Sequence, residues 1–255
     1  MEQGSAPKRN KGLSGQAIRL IAIVAMLCDH VGRTIAQNHI GLTYIGRIAF
    51  PLFAFLLVEG FYHTSSRSKY LLRLLVFAAL SEIPFNLMHS GHIVDTGYQN
   101  VLWTLALGLA AVIAIHFVKT KLNNVVITGV FTAATALFTM HIADELLVDY
   151  YGFGVLTILL FYTVRDLRYA KTGQLAGLFL INVVWMSGIT TGWTLFGHII
   201  GFPLQGLALL ALPLIWKYNG NRGPDHLFLH YASYAFYPVH LLILAMLAMN
   251  GVTLN

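Results

Sequence analysis

The sequence predicts an all-α, polytopic integral membrane protein, a bundle of about nine transmembrane helices with a cytoplasmic N-terminus. Of its 255 residues, 57% are hydrophobic and only 10% are charged, whereas ordinary soluble domains contain about 25% charged residues. The mean hydropathy is +0.68, and the apolar residues form long runs separated by polar, Gly or Pro breaks. The basic residues fall almost entirely in alternate breaks, which is the pattern of the loops of a multi-pass membrane protein.

The apolar runs divide the chain into a polar cytoplasmic segment (1–16), a single transmembrane domain (17–250) and a short tail (251–255). The first run is long enough for a full span, so we expect it to stay attached rather than to be cleaved as a signal peptide. One predicted span is short, and residues 190–204 fit a re-entrant segment or an extra helix, which leaves counts of eight and ten open. The predicted spans are 17–36, 47–63, 70–88, 101–118, 124–141, 152–165, 174–190, 201–217 and 234–250.

The loop charges predict the orientation. With nine spans, all but two of the 16 Lys and Arg residues lie on the side of the N-terminus, and the exceptions are Arg33 and Arg47. Positively charged loops stay in the cytoplasm, so the N-terminus is expected inside and the C-terminus outside. Because the charge of +6 has this topological explanation, no basic patch remains that would indicate nucleic-acid binding.

The first span carries three ionisable residues near its predicted outer end: Asp29, His30 and Arg33. Charged groups at membrane depth are costly, and they normally face the bundle interior and have partners. Helical spacing brings all three toward one side and favours pairing of Asp29 with Arg33 over orientation of His30 by Asp29. A histidine near a carboxylate and arginines suits general base catalysis. We therefore predict a catalytic group of His30, Asp29, Arg33 and Arg47.

The second span has Arg47 at its outer end and Glu59 at its inner end, with Pro51 expected to kink the helix between them. Arg47 and Glu59 are about 18 Å apart along a helix axis, so they cannot pair within it, and they mark opposite ends of a passage. Glu59 fits either a structural ion pair with Arg67 or Arg73, or contact with a substrate or cofactor.

The third and fourth spans contain further buried polar residues. Glu82 lies in the outer half of the third span, with Arg33 or Arg47 as a candidate partner, and it fits either a structural pair or a catalytic part. Asn100 and Thr104 are four residues apart in the fourth span. They fit either the orientation of a polar ligand or hydrogen bonds to neighbouring helices.

The predicted outer loops give two weaker signals. His89, His92 and Asp95 have a spacing compatible with a divalent metal, but no HExxH pattern or paired cysteines accompany them, and we expect no metal site. A second loop contains Asp149 and Tyr150 and fits either a solvated acidic face or attraction of a cationic amine. The single cysteine excludes an intrachain disulfide.

The last span carries Tyr237 and His240 near its start. Tyr237 fits an aromatic belt at the membrane interface, whereas His240 lies within an apolar run and is a candidate site residue. The sequence has no Gly-rich phosphate loop and no GxSxG elbow, so soluble nucleotide chemistry is not indicated.

Several segments, taken in order from about Gly12 to Leu244, resemble the TraX family of membrane proteins, which includes the F-pilin acetylase. These segments are MLCDHVG, GRIAFPLFAFLLVEGFYHT, KYLLRLL, NVLWTLALGL, DYYGFGVLTIL and FYPVHLLIL. That family is similar in turn to the larger group of transmembrane acyltransferases.

The resemblance implies transfer of an acetyl group from acetyl-CoA to an amine at the bacterial inner membrane. The expected partners are acetyl-CoA, the lipid bilayer and an amine-bearing acceptor, either an exported pilin or peptide or a small amine. The matching positions are Asp29, His30, Arg33, Gly46, Arg47, Glu59, His63, Thr64, Tyr70, Arg73, Asn100, Thr104, Asp149, Tyr150, Tyr237, Pro238 and His240.

Acetyl-CoA is cytoplasmic, so inner basic residues suit its phosphates. The residues predicted to bind it are Glu59, His63, Arg67, Lys69, Tyr70, Arg73, Asn100 and Thr104, with Lys119 and Lys121 as further phosphate ligands. The residues predicted to bind the acceptor are Glu82, Asp149, Tyr150, Tyr237 and His240.

In the expected reaction, His30 deprotonates the acceptor ammonium and the amine attacks the thioester directly, with Arg33 or Arg47 stabilising the oxyanion. An acetyl-His30 intermediate is the alternative. Two other functions fit the residues. One is a proton-coupled transporter, because buried Asp, Glu, His and Arg also form proton relays. The other is a non-catalytic factor in envelope or conjugation assembly.

Overall fold

The computed structural model describes residues 12–188, 190–195, 198–223 and 227–254, so most of the predicted cytoplasmic segment lies outside the described residues. The chain in these ranges is almost entirely helical. Its α-helices are α1 (Gly15–Arg33), α2 (Ile40–Gly46), α3 (Ala49–His63), α4 (Arg67–His89), α5 (Val101–Leu122), α6 (Val125–Glu145), α7 (Tyr151–Val164), α8 (Ala170–Phe179), α9 (Leu212–Trp216) and α10 (Leu227–Met249). Helix α8 continues as a π-helix (Leu180–Trp185), and a 3₁₀-helix (Leu204–Ala211) leads into α9.

Six helical segments of the described chain are long and apolar enough to cross a membrane. They are Gly15–Arg33, Ile40–His63, Arg67–His89, Val101–Leu122, Val125–Glu145 and Ala232–Met249. The prediction of a helical membrane protein is thereby confirmed, while the count of nine spans and the cytoplasmic N-terminus stay predictions. The other three predicted spans coincide with shorter helices. Helix α7, for example, has 14 residues, about 21 Å of helix against a hydrocarbon core of about 30 Å.

Residues 190–195 and 198–203 form two antiparallel β-strands, and the expectation of an additional helix there is wrong. Strand β1 (Thr190–Leu195) pairs with β2 (His198–Pro203), with Gly192 opposite Gly201. Strand β1 is rich in Thr and β2 contains two Ile, residues that favour extended backbone, and the two glycines lower the helix propensity of the segment.

The predicted second span, 47–63, corresponds to α3, and the observed segment Ile40–His63 is interrupted between α2 and α3 at Arg47 and Ile48. Pro51 lies in the first turn of α3, where its missing N–H costs no helical hydrogen bond. In a continuous helix, the ring of Pro51 would clash with the carbonyl of Arg47. The expected kink therefore takes the form of a break, and it turns Arg47 into the bundle.

Successive helices run in opposite directions, which gives the bundle two ends. The Gly15 end contains the start of α1, where Leu13 N–H donates to the Lys217 carbonyl at 2.7 Å. The Arg33 end contains the loop before α5, where Gln99 exchanges backbone hydrogen bonds with Leu147 and Asp149. The basic residues that begin α4 and end α5 lie at the Gly15 end, which is the predicted cytoplasmic side.

Side chains cap four of the long helices at their N-termini. Ser14, Ser66, Asn100 and Asn124 accept hydrogen bonds from backbone N–H groups of α1, α4, α5 and α6, respectively. Each cap satisfies a donor that helical geometry leaves unpaired, which is essential where water is scarce. These sequence positions therefore fix where the helices begin.

The helices pack as a bundle in which α1 contacts α2 and α3, α4 contacts α10, and α5 contacts α4, α6 and α7. Phe61 and Phe161 are among the largest fully buried side chains. Helix α6 exposes Val130, Leu137 and Phe138, as expected of a helix that faces lipid. Asp29 of α1 and Glu59 of α3 are buried in the bundle instead.

Candidate active site

The Arg33 end contains an ionic cluster in which one carboxylate holds two arginines. Asp29 Oδ2 lies 3.0 Å from Arg33 Nε on the next turn of α1. Asp29 Oδ1 accepts a hydrogen bond from Arg47 Nη2, which enters from the break between α2 and α3. Asp29 and Arg47 are buried, whereas the Arg33 side chain is 50% exposed. With two guanidinium groups on one carboxylate, the cluster has an excess positive charge.

Gly46 allows α2 to lie directly against Asp29. A Cβ atom at Gly46 would overlap the Cβ of Asp29 and lie 2.6 Å from its Oδ1. Carbon atoms do not approach oxygen that closely without displacement of one of them. The absence of a side chain at Gly46 therefore permits the Asp29–Arg47 contact.

A series of amide side chains holds the guanidinium of Arg47. Arg47 Nη1 donates to Gln205 Oε1 at 3.1 Å, and its Nε donates to the Thr43 carbonyl at 3.3 Å. Gln205 Nε2 donates to Asn182 Oδ1 at 3.1 Å, and Asn182 in turn donates to the Leu178 carbonyl at 2.9 Å. Asn182 lies in the π-helix, a form that occurs frequently at functional sites. Arg47 is therefore fixed by partners on three elements.

His30 forms a hydrogen-bonded pair with His240 of α10. Nδ1 of His30 lies 2.7 Å from Nε2 of His240, and Nδ1 of His240 lies 2.7 Å from the Phe236 carbonyl. His240 is buried and the ring of Tyr237 packs beside both histidines, with centroids 6.3 Å from His30 and 5.7 Å from His240. Helices α1 and α10 therefore meet at two imidazole rings in a part of the bundle where most side chains are apolar.

A cavity of about 210 Å³, which we call the histidine cavity, opens beside these groups. Its polar members come from six different parts of the chain, and aromatic rings make up much of the rest. It is lined by Asp29, His30, Arg33, Thr34, Arg47, Phe85, Met88, His89, Tyr98, Asp149, Tyr150, Tyr151, Met186 and Gln205.

Asp149 supplies a second carboxylate to the histidine cavity. Its Oδ1 accepts a hydrogen bond from the Tyr98 hydroxyl at 2.5 Å, and its carbonyl accepts one from Thr104. Burial raises the pKa of Asp149, while the Tyr98 hydrogen bond and the nearby arginines oppose that shift. Leu147, Tyr150 and Tyr151 have positive φ angles of 52°, 63° and 50°. Such strain in non-glycine residues concentrates at functional sites.

A polar cavity of about 500 Å³ lies at the opposite, Gly15 end. Arg19, Arg73 and Arg222 give its lining a positive charge. Two lining residues have buried donor atoms that lack a hydrogen-bond partner within the described ranges, Gln16 Nε2 and Arg73 Nε. A buried donor without an acceptor costs about 1–3 kcal/mol. These two donors are placed where acceptor atoms could reach them.

A third, apolar cavity of about 120 Å³ lies between the other two. It shares Arg19, Leu56, Tyr70 and Tyr234 with the polar cavity. At its other end it is lined by Tyr237, whose ring packs beside His30. The three cavities therefore follow one another from the Gly15 end to the histidine pair and the Arg33 end.

A family model described as TraX protein matches residues 14–248. This chain belongs to the TraX family. It is also similar to the probable fimbrial assembly protein FimC, serogroup H1, of Dichelobacter nodosus, with 31% identity over 252 residues that cover 92% of this chain and 96% of the relative. No solved structure matches the chain.

The fold brings the predicted catalytic residues of this TraX-family protein together. His30, Asp29, Arg33 and Arg47 all line the histidine cavity, and the predicted Asp29–Arg33 pair is present. Two predicted acceptor residues, Asp149 and Tyr150, line the same cavity. Tyr237 lines the apolar cavity. His240 contacts His30 and is not among the residues that line the apolar cavity or the histidine cavity.

The residues predicted to bind the acyl donor are divided among several places. Glu59, His63, Tyr70 and Arg73 line the polar cavity. Arg67 stacks on Phe61 at 4.2 Å and lies 3.3 Å from His116, outside that lining. Lys69 is exposed and also lies outside the lining. Of the two further phosphate candidates, Lys121 is exposed, and Lys119 lines a groove between α6, α7 and α8 instead.

Asn100 and Thr104 lie toward the Arg33 end, far from the polar cavity, and bind other parts of the protein. Asn100 Nδ2 donates to the Ala78 carbonyl at 2.9 Å and to Glu82, and Thr104 donates to Asp149. Glu82 also accepts a hydrogen bond from Trp103 at 2.8 Å, and it lines none of the three cavities. In this structure, these polar residues join helices.

Two predicted ion pairs are wrong. Glu59 pairs with Arg165 at 2.7 Å rather than with Arg67 or Arg73, because the end of α7 lies beside the end of α3. Glu82 does not pair with Arg33 or Arg47, since Asp29 already holds both arginines. Sequence spacing identified the charged residues of the TraX-family chain but could not pair residues on different helices.

The described residues contain no group of three or more His, Cys, Asp and Glu side chains that is placed to hold a metal ion. His89, His92 and Asp95 therefore do not form the metal site that their spacing allows. Hydrogen bonding to the Gly97 N–H and to Ser90 lowers the pKa of Asp95 in this loop.

Site residues that were not identified from the sequence include Gln16, Arg19, Tyr98, Asn182, Gln205 and Arg222. Asn182 and Gln205 lie within apolar runs, and an amide in an apolar run is a signal that could have found them. Gln16 and Tyr98 lie in polar segments, where nothing in the sequence distinguishes them.

Proposed function

We propose that this TraX-family protein is a membrane-embedded acetyltransferase that moves an acetyl group from cytoplasmic acetyl-CoA to an amine acceptor at the outer face of the bacterial inner membrane. The observation that supports this most directly is the row of three cavities, which runs from a positively charged, donor-rich chamber to the histidine pair. Such an arrangement suits a donor substrate with an anionic head and a long reactive arm.

The polar cavity suits the anionic head of acetyl-CoA. Arg19, Arg73 and Arg222 supply positive charge, and the unpartnered donors of Gln16 and Arg73 suit phosphate oxygens. Glu59 also lines the cavity, but its carboxylate is neutralised by Arg165. The predicted cytoplasmic side of the membrane coincides with this end, where acetyl-CoA is available.

The apolar cavity suits the uncharged arm that carries the thioester. From Arg19 to His30 the rise along α1 is about 16 Å, and Met26 and Tyr237 line the cavity along this distance. The arm would enter past Tyr70 and Tyr234 and bring the acetyl group to the ring of Tyr237, beside His30.

At His30, the proposed reaction is general base catalysis of acyl transfer. The base removes a proton from the acceptor ammonium, and the free amine attacks the thioester carbonyl. The new C–N bond forms and the C–S bond breaks, and CoA leaves as a thiolate that takes the second amine proton to become the thiol. His30 then releases its proton to water on the acceptor side.

The exposures of the two arginines favour Arg33 as the group that stabilises the oxyanion. Arg47 is 5% exposed, and Asp29, Gln205 and Thr43 engage three of its donor atoms. Arg33 is half exposed and contacts Asp29 through Nε. Its terminal nitrogens are therefore available to a substrate in the histidine cavity.

The histidine cavity suits a cationic amine as acceptor. Asp149 supplies a carboxylate, and Tyr98, Tyr150 and Tyr151 supply aromatic rings, a combination that attracts ammonium groups. The name of the relative, a probable fimbrial assembly protein, supports the N-terminal amine of an exported pilin or peptide over a small free amine.

The same name supports a second candidate, a non-catalytic role in fimbrial or pilus assembly. That role predicts binding of a pilus component without acetylation of it. No observation on the structure favours the third candidate, a proton-coupled transporter, over these two.

The test combines binding and transfer with detergent-purified protein, [¹⁴C]acetyl-CoA and a synthetic pilin N-terminal peptide. We expect wild type to bind acetyl-CoA and to acetylate the peptide amine. His30→Asn should bind normally but transfer at least about 100-fold more slowly, and Arg73→Gln should bind about 10-fold more weakly, a loss of about 1.4 kcal/mol. His141→Gln, on the exposed surface of α6, is the matched control.

Folded wild-type protein that does not bind acetyl-CoA would exclude the acetyltransferase. Binding of the peptide without acetylation would favour the assembly role. Label that attaches covalently to His30 in the absence of peptide would replace direct transfer with an acetyl-histidine intermediate.

A further inference from the structure

We propose that His240 is a positioning residue that holds His30 in the tautomer protonated at Nδ1, so that Nε2 of His30 is the basic nitrogen. The catalytic use of that nitrogen rests on the proposed acetyl transfer, whereas the tautomer rests on the geometry of the pair alone.

The ring of His240 carries its hydrogen on Nδ1. Its Nδ1 lies 2.7 Å from the carbonyl oxygen of Phe236, one turn earlier on α10. A carbonyl oxygen only accepts hydrogen bonds, so Nδ1 of His240 must carry the hydrogen. In a neutral imidazole the other nitrogen is then an acceptor, and Nε2 of His240 presents a lone pair.

The hydrogen bond between the two rings then determines which nitrogen of His30 carries the hydrogen. Nδ1 of His30 lies 2.7 Å from that acceptor nitrogen, so it is the donor and carries the hydrogen of the His30 ring. Nε2 of His30 is left unprotonated, and it has no hydrogen-bond partner in the described part of the chain. His30 lines the histidine cavity, so an acceptor bound there meets the ring that carries this unprotonated nitrogen.

The orientation of the two rings supports a directed hydrogen bond. Their planes differ by 11° and their centroids are 5.0 Å apart. Rings stacked face to face could not bring two nitrogens to 2.7 Å without overlap, so the rings meet edge to edge in nearly one plane. The ring of Phe236 packs against His240 at 4.6 Å with an angle of 15°. His240 is therefore held both by its carbonyl contact and by packing.

This arrangement suits a base that works without rearrangement. When Nε2 of His30 takes a proton, Nδ1 still donates to His240, and the charge that develops on His30 is stabilised by the lone pair of His240. His240 orients His30 as a carboxylate orients the catalytic histidine of a Ser-His-Asp triad. Here the imidazole of His240 and the backbone carbonyl of Phe236 take the place of the carboxylate. Asp29 cannot orient His30 in this way, because its carboxylate is already paired with two arginines.

The test compares two substitutions of His240 in the full-length protein. His240→Gln keeps an acceptor oxygen for Nδ1 of His30, whereas His240→Phe keeps a flat ring without an acceptor. We expect kcat for acetyl transfer to fall about 100-fold in His240→Phe and less than about 10-fold in His240→Gln, with the KM for acetyl-CoA unchanged in both. His141→Phe is the control for replacement of a histidine elsewhere.

A second measurement reads the tautomer without activity. ¹⁵N-histidine NMR of wild type should give a protonated Nδ1 and an unprotonated Nε2 for His30, assigned by the loss of its signals in His30→Asn. His240→Phe should lose this preference and His240→Gln should keep it.

Protonation of wild-type His30 at Nε2, wild-type kcat in His240→Phe, or equal losses in the two variants would each overturn the inference. Wild-type protein without acetyl transfer would overturn the proposed function instead, and the NMR result would still decide the tautomer.

Discussion

The two ends of the bundle each bury a carboxylate against arginine, but with different balances of charge. At the Gly15 end, Glu59 faces Arg165, whose side chain is 32% exposed and also reaches Asp166 at 3.1 Å. At the Arg33 end, Asp29 pairs with both Arg33 and the buried Arg47, and Asp149 lines the same cavity. The first arrangement neutralises charge near water and is suited to a structural role. The second places two guanidinium groups beside a histidine, which suits stabilisation of a negative transition state.

The polar cavity and the histidine cavity also differ in whether their polar groups already have partners. The polar cavity contains donors that lack partners within the described residues, so it is suited to receive the acceptor atoms of a ligand. In the histidine cavity most charged groups already hold one another, which keeps reactive side chains in place before a substrate arrives. Under the proposed function, the Gly15 end binds the donor and the Arg33 end holds preorganised groups for the chemistry.

The largest expected effect comes from removal of each carboxylate in turn. Asp29→Asn leaves the buried Arg47 without an ionic partner in the described structure, and we expect a loss of about 3–5 kcal/mol in unfolding free energy. Glu59→Gln leaves Arg165 with Asp166 and water, and we expect a loss of about 1 kcal/mol or less. Denaturant unfolding in detergent micelles measures both. Equal losses would contradict the proposed difference between the two ends.

A smaller effect, on activity alone, is expected for Arg33→Gln. If the half-exposed Arg33 stabilises the oxyanion, kcat for acetyl transfer should fall about 100-fold, while the melting temperature stays within a few degrees of wild type. Arg168→Gln, an exposed arginine after α7, is the control and should transfer at the wild-type rate. Full activity of Arg33→Gln would assign oxyanion stabilisation to another group.

Gly46→Ala tests the close approach of α2 to Asp29. The added methyl group would overlap the Asp29 side chain, and we expect a loss of about 1–3 kcal/mol in unfolding free energy. Gly41→Ala lies on the same helix with no atom within 4 Å of the added Cβ, so it should be neutral or slightly stabilising. If both variants unfold alike, Gly46 is not required for the contact.

The smallest expected effect is a pH dependence from Asp149. Its pKa is raised by burial from the ordinary 3.8, so its contribution to stability is present below that value and is lost as the pH rises through the raised pKa. The melting temperature of wild type minus that of Asp149→Asn should therefore fall as the pH increases from about 4 to 7. A difference that rises over this range would show that Tyr98 and the arginines outweigh burial.

The helical fold and the importance of α1 could be predicted from the sequence because both depend on local composition. Long apolar runs must form helices in a bilayer, since every backbone group needs a partner there. Asp29, His30 and Arg33 stand out because charge in such a run is costly. The three shorter helices and the two β-strands were harder to predict, because an apolar run with β-branched residues and glycines fits several structures.

The pairing of side chains on different helices was decided by the tertiary structure alone. His30 and His240 are 210 positions apart in the chain, and Glu59 and Arg165 are 106 apart, so no local spacing relates them. The sequence determined which groups are too costly to face lipid, and therefore that they must find partners inside. Which partners they find depends on how the helices pack, because a contact across a bundle is set by the relative rotation and depth of two helices rather than by either helix alone.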